Sequence, residues 1–75
     1  MKTIYVASLE SRSFSFAALG LTKAKALEAL VKGLNKHTEV LNLDPDWYSI
    51  EDDINVISMK IDAAYRDHSE IELNN

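Results

Sequence analysis

The run Phe14–Thr22, FSFAALGLT, decides how the first half of this 75-residue chain folds. Its first part continues an alternation that starts at Arg12, so that Phe14 and Phe16 share one side of an extended segment with small residues between them. Alternation of this kind is typical of a strand with one buried face. The sequence therefore predicts a β-strand over 12–18.

The second part of the run marks the passage from strand to helix. Gly20 is expected to end the strand, and Thr22 has the side chain that a helix N-cap requires. The sequence that follows, KAKALEALVKGLNKH, repeats apolar residues at the spacing of one helix face. We predict one long helix that ends between His37 and Asn42, with Gly33 as its weakest point. The residues of its apolar stripe are Leu27, Leu30, Val31 and Leu34.

A β-branched, alternating segment precedes this unit. Residues 3–9 place Ile4 and Val6 on one face and other apolar residues on the opposite face, a pattern that suits a strand. Glu10 and Ser11, with Arg12 at the boundary, separate the two predicted strands, and their number is compatible with a β-hairpin turn. The chain therefore begins with a hairpin that leads into a helix.

The segment after the helix starts with a second capping pattern. Asp44 is suited to the N-cap and Pro45 to the first helical position, so we predict a short helical turn through about residue 50. Residues 54–61 form a further strand whose apolar positions change phase after 56, as in a strand that is covered on both faces or carries a bulge. Residues 62–67 are expected to form a turn, and 70–73 a short edge strand.

These elements, in the order β-β-α-turn-β-β, predict a small α+β fold. One main helix is expected to pack on one face of an antiparallel sheet of three to four strands. The length suits one small domain, 1–75, near the size at which a single core supplies only about 3–5 kcal/mol. The chain has no Cys, which excludes disulfides and thiolate metal sites.

Acidic and basic residues are unevenly distributed. Residues 1–37 hold six Lys and Arg against two acids, whereas 38–75 hold two against ten. Such asymmetry sets up a field without supplying a reactive group, so it indicates a partner surface rather than catalysis. The net charge of −4 disfavours direct binding of nucleic acid. Because neither a secretory leader nor an apolar run of membrane-spanning length is recognisable, we expect a cytoplasmic protein without a membrane partner.

The highest density of negative charge lies at 44–53. Closely spaced carboxylates can imitate a phosphate backbone and occupy a basic channel, although such runs also occur as solvated loops. Trp47 and Tyr48 are of the types that dominate binding hot spots; for Trp47 the alternative is a place in the core, and Tyr48 is expected to be exposed. Tyr65 and Arg66 are further candidates, with a local ion pair as the alternative. The predicted partner-binding residues are Asp44, Asp46, Trp47, Tyr48, Glu51, Asp52, Asp53, Tyr65 and Arg66.

Nothing in the sequence predicts enzymatic chemistry. His37 and His68 are far apart and lack a partner at helical spacing, so both are expected to be surface residues rather than metal ligands or general bases. Asp44 and Asp46 have the first spacing of a calcium loop, but the later ligands of such a loop are missing. We therefore expect a protein without catalytic residues, metal or cofactor.

Nearly the whole chain resembles a loosely defined group of short uncharacterised proteins carried by phages and plasmids. The resemblance rests on the run at 14–22 before an Ala- and Leu-rich helix, on DINV at 53–56 and on YRD at 65–67. The chain departs from the group at 62–64, where Asp-Ala-Ala stands in place of a turn with Gly. The resemblance implies a setting in which compact acidic proteins often inhibit bacterial defence, anti-CRISPR proteins among them, and it assigns no functional residue.

The leading hypothesis is a non-enzymatic protein-interaction module: a phage or plasmid inhibitor that blocks a basic or nucleic-acid-binding surface of a host defence complex in the host cytoplasm. An alternative is an oligomer that sequesters a nucleotide signal between identical subunits. The first forty residues also resemble HicB-like antitoxins, through a β-hairpin followed by Gly-x-Thr and an Ala-rich helix, which implies a toxin partner. A charge dipole on so small a domain is also compatible with a homodimer.

Overall fold

A computed structural model describes residues 2–72 of the chain. The main sheet is antiparallel with strand order β2-β1-β3, and β4 and β5 form a separate two-stranded antiparallel ribbon. The predicted α+β class, with one main helix and a small antiparallel sheet, is confirmed. In chain order the elements are β1 (Thr3–Glu10), β2 (Ser15–Gly20), α1 (Lys23–Leu41), a 3₁₀ turn (Pro45–Trp47), α2 (Ile50–Asp53), β3 (Asn55–Lys60), β4 (Ala64–Arg66) and β5 (Ser69–Ile71).

The main helix, α1, begins and ends where the sequence predicts. Thr22 has an extended backbone, and its hydroxyl accepts a hydrogen bond from the backbone N–H of Lys25 at 3.1 Å. The helix ends at Leu41 because Asn42 adopts a left-handed backbone conformation with φ of 54°, a common way to close a helix. Within residues 2–72, no helix has both the length and the apolar character needed to cross a bilayer.

The core lies between α1 and one face of the main sheet. Leu30 and Leu34 of the predicted stripe are buried, whereas Leu27 and Val31 are only partly buried. Ala26, which the predicted stripe omits, is fully buried because a small side chain lets the helix approach the sheet closely. The buried apolar residues are Ala7, Leu9, Ala26, Leu30 and Leu34.

Gly20 is the last residue of β2 and pairs with Tyr5 of β1. The prediction that the strand ends at Gly20 is confirmed. A Cβ atom on Gly20 would lie 2.4 Å from the backbone N of Ala26 and 2.8 Å from its Cα. The glycine is therefore needed for the close approach of β2 to the first turn of α1, not for a turn.

The loop between β1 and β2 is longer than predicted. The backbone N–H of Ser11 donates to the carbonyl of Phe14 at 2.8 Å, and the N–H of Phe14 donates to Ser11 Oγ at 3.0 Å. These bonds close a loop over residues 11–14, so β2 begins at Ser15 rather than at Arg12.

The main sheet has apolar residues on both faces, but α1 packs on only one of them. β3 pairs with β1 in continuous register without a bulge, so Val56 faces α1 with Ala7 while Ile57 and Met59 face the opposite side. The change of phase in the sequence thus reflects a strand that is apolar on both faces. We call the side of the sheet away from α1 the open face.

The ribbon corrects the expected turn at 62–67. β4 lies within that range, and its turn to β5 is made by Asp67 and His68, whose φ angles are 49° and 71°. Two successive positive φ values are typical of the tight hairpin turns that usually contain Gly or Asn. The edge strand expected at 70–73 is present as β5, but it pairs with β4 and not with the main sheet. Leu73 lies outside the described residues.

Candidate partner-binding site

We call residues 44–53 the acidic segment, and its first half is fixed by a cap. Asp44 has an extended backbone, and its Oδ1 accepts a hydrogen bond from the backbone N–H of Asp46 at 3.0 Å. Pro45 occupies the first position of the 3₁₀ turn. The predicted capping role of Asp44 is confirmed, but the turn ends at Trp47 instead of continuing to about residue 50.

The second half of the acidic segment is fixed by a separate cap at Ser49. Its Oγ accepts from the backbone N–H of Asp52 at 3.4 Å, and its own N–H donates to Asp53 Oδ2 at 2.7 Å. This reciprocal arrangement is a variant of the capping box, and it starts the single turn of α2. The acidic residues at 51–53 are therefore a helical turn whose dipole favours negative charge, not a plain connection into β3.

The acidic segment concentrates negative charge at the surface. It holds five carboxylates and no basic residue, which gives a net charge of −5, and all five acidic residues are exposed. The ion pairs found within residues 2–72 lie elsewhere in the chain. Because Asp44 and Asp53 are engaged by backbone N–H groups, Asp46, Glu51 and Asp52 are the carboxylates best suited to meet a partner.

Aromatic rings gather where the acidic segment meets α1. The ring centroid of His37 lies 4.9 Å from that of Phe14 and 5.0 Å from that of Phe16, both in edge-to-face geometry. The Trp47 centroid lies 6.1 Å from Phe16 and 5.0 Å from Tyr48. His37, expected on the surface, is partly buried in this cluster. Contacts of this kind hold the acidic segment against α1 and β2.

Trp47 and Tyr48 both form hydrogen bonds with side chains of α1. Trp47 Nε1 donates to Thr38 Oγ1 at 2.7 Å, and the Tyr48 hydroxyl donates to Asn35 Oδ1 at 3.1 Å. Both side chains are partly buried and pack against the core. The expectation that Tyr48 is exposed is wrong, because its extended backbone ends the 3₁₀ turn and lets two adjacent side chains reach the helix. For Trp47 the structure favours packing against the core.

Thr38→Val is expected to destabilise the fold by about 1–3 kcal/mol, because it leaves the partly buried indole N–H of Trp47 without its acceptor. Urea unfolding followed by the fluorescence of the single Trp measures this loss. Thr38→Ser is the control, since it keeps the hydroxyl and should retain most of the stability. Equal stability of the valine and serine variants would show that the hydrogen bond contributes nothing.

An open cleft of about 240 Å³ lies between the β1–β2 loop and the C-terminal end of α1. Phe14 and Leu41 in its wall are half exposed, at 50% and 47%. Adjacent, half-exposed apolar side chains around a depression are typical of a surface that buries a partner's side chain. The apolar wall is formed by Phe14, His37, Leu41, Leu43 and Trp47, and residues 11–13 form a polar rim.

Tyr65 and Arg66 do not belong to this site. β3 runs for about 17 Å from the acidic segment to Lys60, whose backbone N–H donates to the Tyr65 hydroxyl at 2.7 Å. Arg66 Nε lies 3.8 Å from Asp67 Oδ2, which is the local ion pair named as the alternative. Both residues therefore lie at the opposite end of the sheet from the other predicted site residues.

Of the cleft wall, the sequence predicts only Trp47 as a site residue. Phe14, His37 and Leu43 come from a loop, a helix and a connection that are distant in sequence, so no local spacing links them. The sequence holds only a weak indication of the cleft. Apolar residues continue beyond the apolar stripe of α1, at Val40, Leu41 and Leu43, and none of the three belongs to the buried core.

No arrangement for metal chemistry is apparent in the part of the chain that the structure describes, since residues 2–72 contain no group of three or more His, Asp or Glu placed to hold an ion. Comparison with known proteins gives no match to a family model, a curated protein or a solved structure. A functional assignment therefore has to rest on the acidic segment and the cleft beside it.

Proposed function

We propose that this chain is a non-enzymatic protein-interaction module that binds a basic, nucleic-acid-handling surface of a larger complex. One observation carries the proposal: five exposed carboxylates lie on a segment that is rigidly capped and that also supplies Trp47 to the wall of an open apolar cleft. Charge and apolar contact area thus meet on one end of the molecule.

The acidic segment supplies long-range attraction to a cationic target. A net charge of −5 within ten residues is a dense array of the sign that Lys and Arg grooves bind. The capping bonds of Asp44 and Ser49 fix the backbone before binding, so less conformational entropy is lost when the partner arrives. Such an array speeds association and selects against acidic partners.

The cleft supplies the short-range contact that charge alone lacks. Phe14, Leu41 and Leu43 expose apolar surface beside the acidic segment. A target that presents an apolar side chain next to Lys or Arg matches both features, and burial of that side chain provides most of the affinity. Basic channels of nucleic-acid-binding host complexes, including defence complexes, are targets of this chemistry, and occupation of such a channel excludes the nucleic acid.

Replacement of Asp46, Glu51 and Asp52 by their amides is expected to weaken binding about tenfold or more and to flatten its salt dependence. Asp53 is left intact because its carboxylate caps α2. The partner is recovered by affinity capture on the wild-type chain, and its affinity is then measured by titration calorimetry over a salt series. Displacement of nucleic acid from the recovered partner is followed in parallel by fluorescence anisotropy.

The matched control removes three carboxylates outside the acidic segment, with Glu28→Gln, Asp62→Asn and Glu72→Gln. It makes the same change in net charge, so retained affinity in this control assigns the effect to the acidic segment. A recovered partner that binds the variant at Asp46, Glu51 and Asp52 as tightly as the wild type, or that holds its nucleic acid unchanged, would rule out the proposed mode of binding.

A further inference from the structure

The open face of the main sheet carries an apolar patch that crosses all three strands. Val6 of β1 lies opposite Leu19 of β2 on one side and Ile57 of β3 on the other. Ile4 and Met59 pair next to them, and Leu19 is 65% exposed. No charged residue interrupts this patch. When one face of an antiparallel sheet is in contact with water, the side chains on that face are usually polar.

The exposed area of the chain is larger than a monomer of this size requires. Its accessible surface is 5943 Å², while a compact folded protein of 8.4 kDa exposes about 4,600 Å². The excess is greater than the roughly 800 Å² per partner that a stable protein interface buries. Residues 66–72 of the ribbon are exposed and account for a part of the excess. On the open face Leu19 is exposed, and Ile4, Val6, Ile57 and Met59 are partly exposed.

We propose that a second copy of this chain covers the open face, in a two-fold dimer whose sheets stack face to face. The patch is self-complementary. Val6 lies in its middle, with Leu19 on one side and Ile57 on the other. A two-fold axis near Val6 therefore places apolar residues of one copy over apolar residues of the other, whether Leu19 meets Ile57 or Leu19 meets Leu19. The patch of Ile4, Val6, Leu19, Ile57 and Met59 carries no charge, and Glu10 lies only at the end of the same face. The complement of the patch is therefore an apolar surface.

The distribution of charge sets the orientation of the two copies. The acidic segment lies at the end of the sheet where β3 begins. Lys2, Lys23, Lys25 and Lys60 lie at the other end, where β1 and α1 begin and β3 ends. Asp62, Glu70 and Glu72 lie at that end as well, and Lys60 Nζ is 3.2 Å from Glu70 Oε1, so most of its positive charge is balanced within the same copy. A two-fold axis perpendicular to the strands runs the two β1 strands antiparallel and keeps the two acidic segments, each with a net charge of −5, at opposite ends of the dimer. Both clefts remain on the outside, one at each end of the dimer.

Sedimentation equilibrium of the whole chain tests this proposal. The wild type is expected to show a reversible monomer–dimer equilibrium, and Leu19→Lys is expected to raise its dissociation constant roughly 100-fold or more, because the two-fold axis places two ammonium groups in an apolar interface. Val40→Lys is the matched control: Val40 is 66% exposed but lies on α1, away from the open face. This control should dimerise like the wild type and unfold at a similar urea concentration.

Three results would overturn the proposal. A wild-type chain that stays monomeric up to about 1 mM shows that the open face remains uncovered. Equal loss of dimer in the Leu19 and Val40 variants places the interface elsewhere. Slowed hydrogen exchange at the outward amides of β2 shows pairing through the free edge of the sheet instead of its face.

Discussion

Gly20→Ala should remove most of the stability of this fold. The added Cβ would lie 2.4 Å from the backbone N of Ala26 and within 3 Å of two further backbone atoms, and a backbone cannot move aside as a flexible side chain can. Either β2 or the first turn of α1 must shift, although Ala26 belongs to the buried core. Overpacking of this kind costs about 3 kcal/mol, which is comparable to the whole stability expected of so small a domain.

The control for this prediction is the other glycine of the chain. A Cβ on Gly33 meets nothing within 4 Å, and the residue lies inside α1, so Gly33→Ala should stabilise the fold by about 1 kcal/mol through helix propensity. Urea denaturation monitored by circular dichroism measures both variants. If the two substitutions changed the free energy of unfolding in the same direction, the inferred steric conflict between residue 20 of β2 and the first turn of α1 would be contradicted.

Leu34→Ala is the second substitution with a large expected effect. Leu34 is fully buried, on the face of α1 that packs on the sheet, so its truncation should cost about 2–5 kcal/mol through lost apolar burial and the cavity that remains. Thermal unfolding is the appropriate measurement, with a decrease of roughly 10 °C or more in the midpoint.

Val40→Ala provides the comparison on the same helix. Val40 is largely exposed, and a surface change there should alter stability by less than about 0.5 kcal/mol. Similar losses at positions 34 and 40 would mean that α1 presents a different face to the sheet.

Much of the hairpin and helix could be predicted because the signals there are local. The alternation in β1, the Thr22 cap and the spacing of Leu30 and Leu34 each report on neighbours within a few residues, and all three predictions agree with the structure. The end of β2 at Gly20 also agrees with the structure, but its reason could not be predicted, because glycine serves both turns and close approaches and only the position of Ala26 in space distinguishes them.

The second half was harder to predict because its turns use residues without strong conformational preferences. Asp67 and His68 adopt positive φ in a tight hairpin turn, where glycine or asparagine is usual. The sequence therefore predicts only a turn over the residues that form β4. The phase change near residue 57 is visible in the sequence, but a bulge and an apolar second face give the same pattern, and only the register with β1 distinguishes them.

For the candidate site, the exposure of the acidic residues could be predicted from the sequence. Which residues come together to form the cleft could not. Acidic residues in a short segment with Pro are readily expected at the surface, and the capping function of Asp44 follows from its position before Pro45. The cleft depends on His37, Phe14 and Trp47 meeting through tertiary packing, which no spacing in the sequence encodes. Only their residue types make Tyr65 and Arg66 candidates for the same site as the acidic residues. In the structure the length of β3 separates these two residues from the acidic segment.

The two proposals are separable because they use different surfaces. Substitutions in the acidic segment should change partner binding and leave the monomer–dimer equilibrium largely intact. Leu19→Lys should dissociate the dimer and leave each cleft in place. Failure of one proposal therefore leaves the other to be judged on its own measurement.

Nuclear magnetic resonance of the ¹⁵N-labelled chain, titrated with the partner recovered by affinity capture, tests most directly whether the acidic segment and the cleft form one binding surface. We predict amide shift changes that saturate together at residues 44–53 and at Phe14, His37 and Leu41. Changes confined to the open face or to the ribbon, with residues 44–53 unaffected at saturation, would contradict the proposed site.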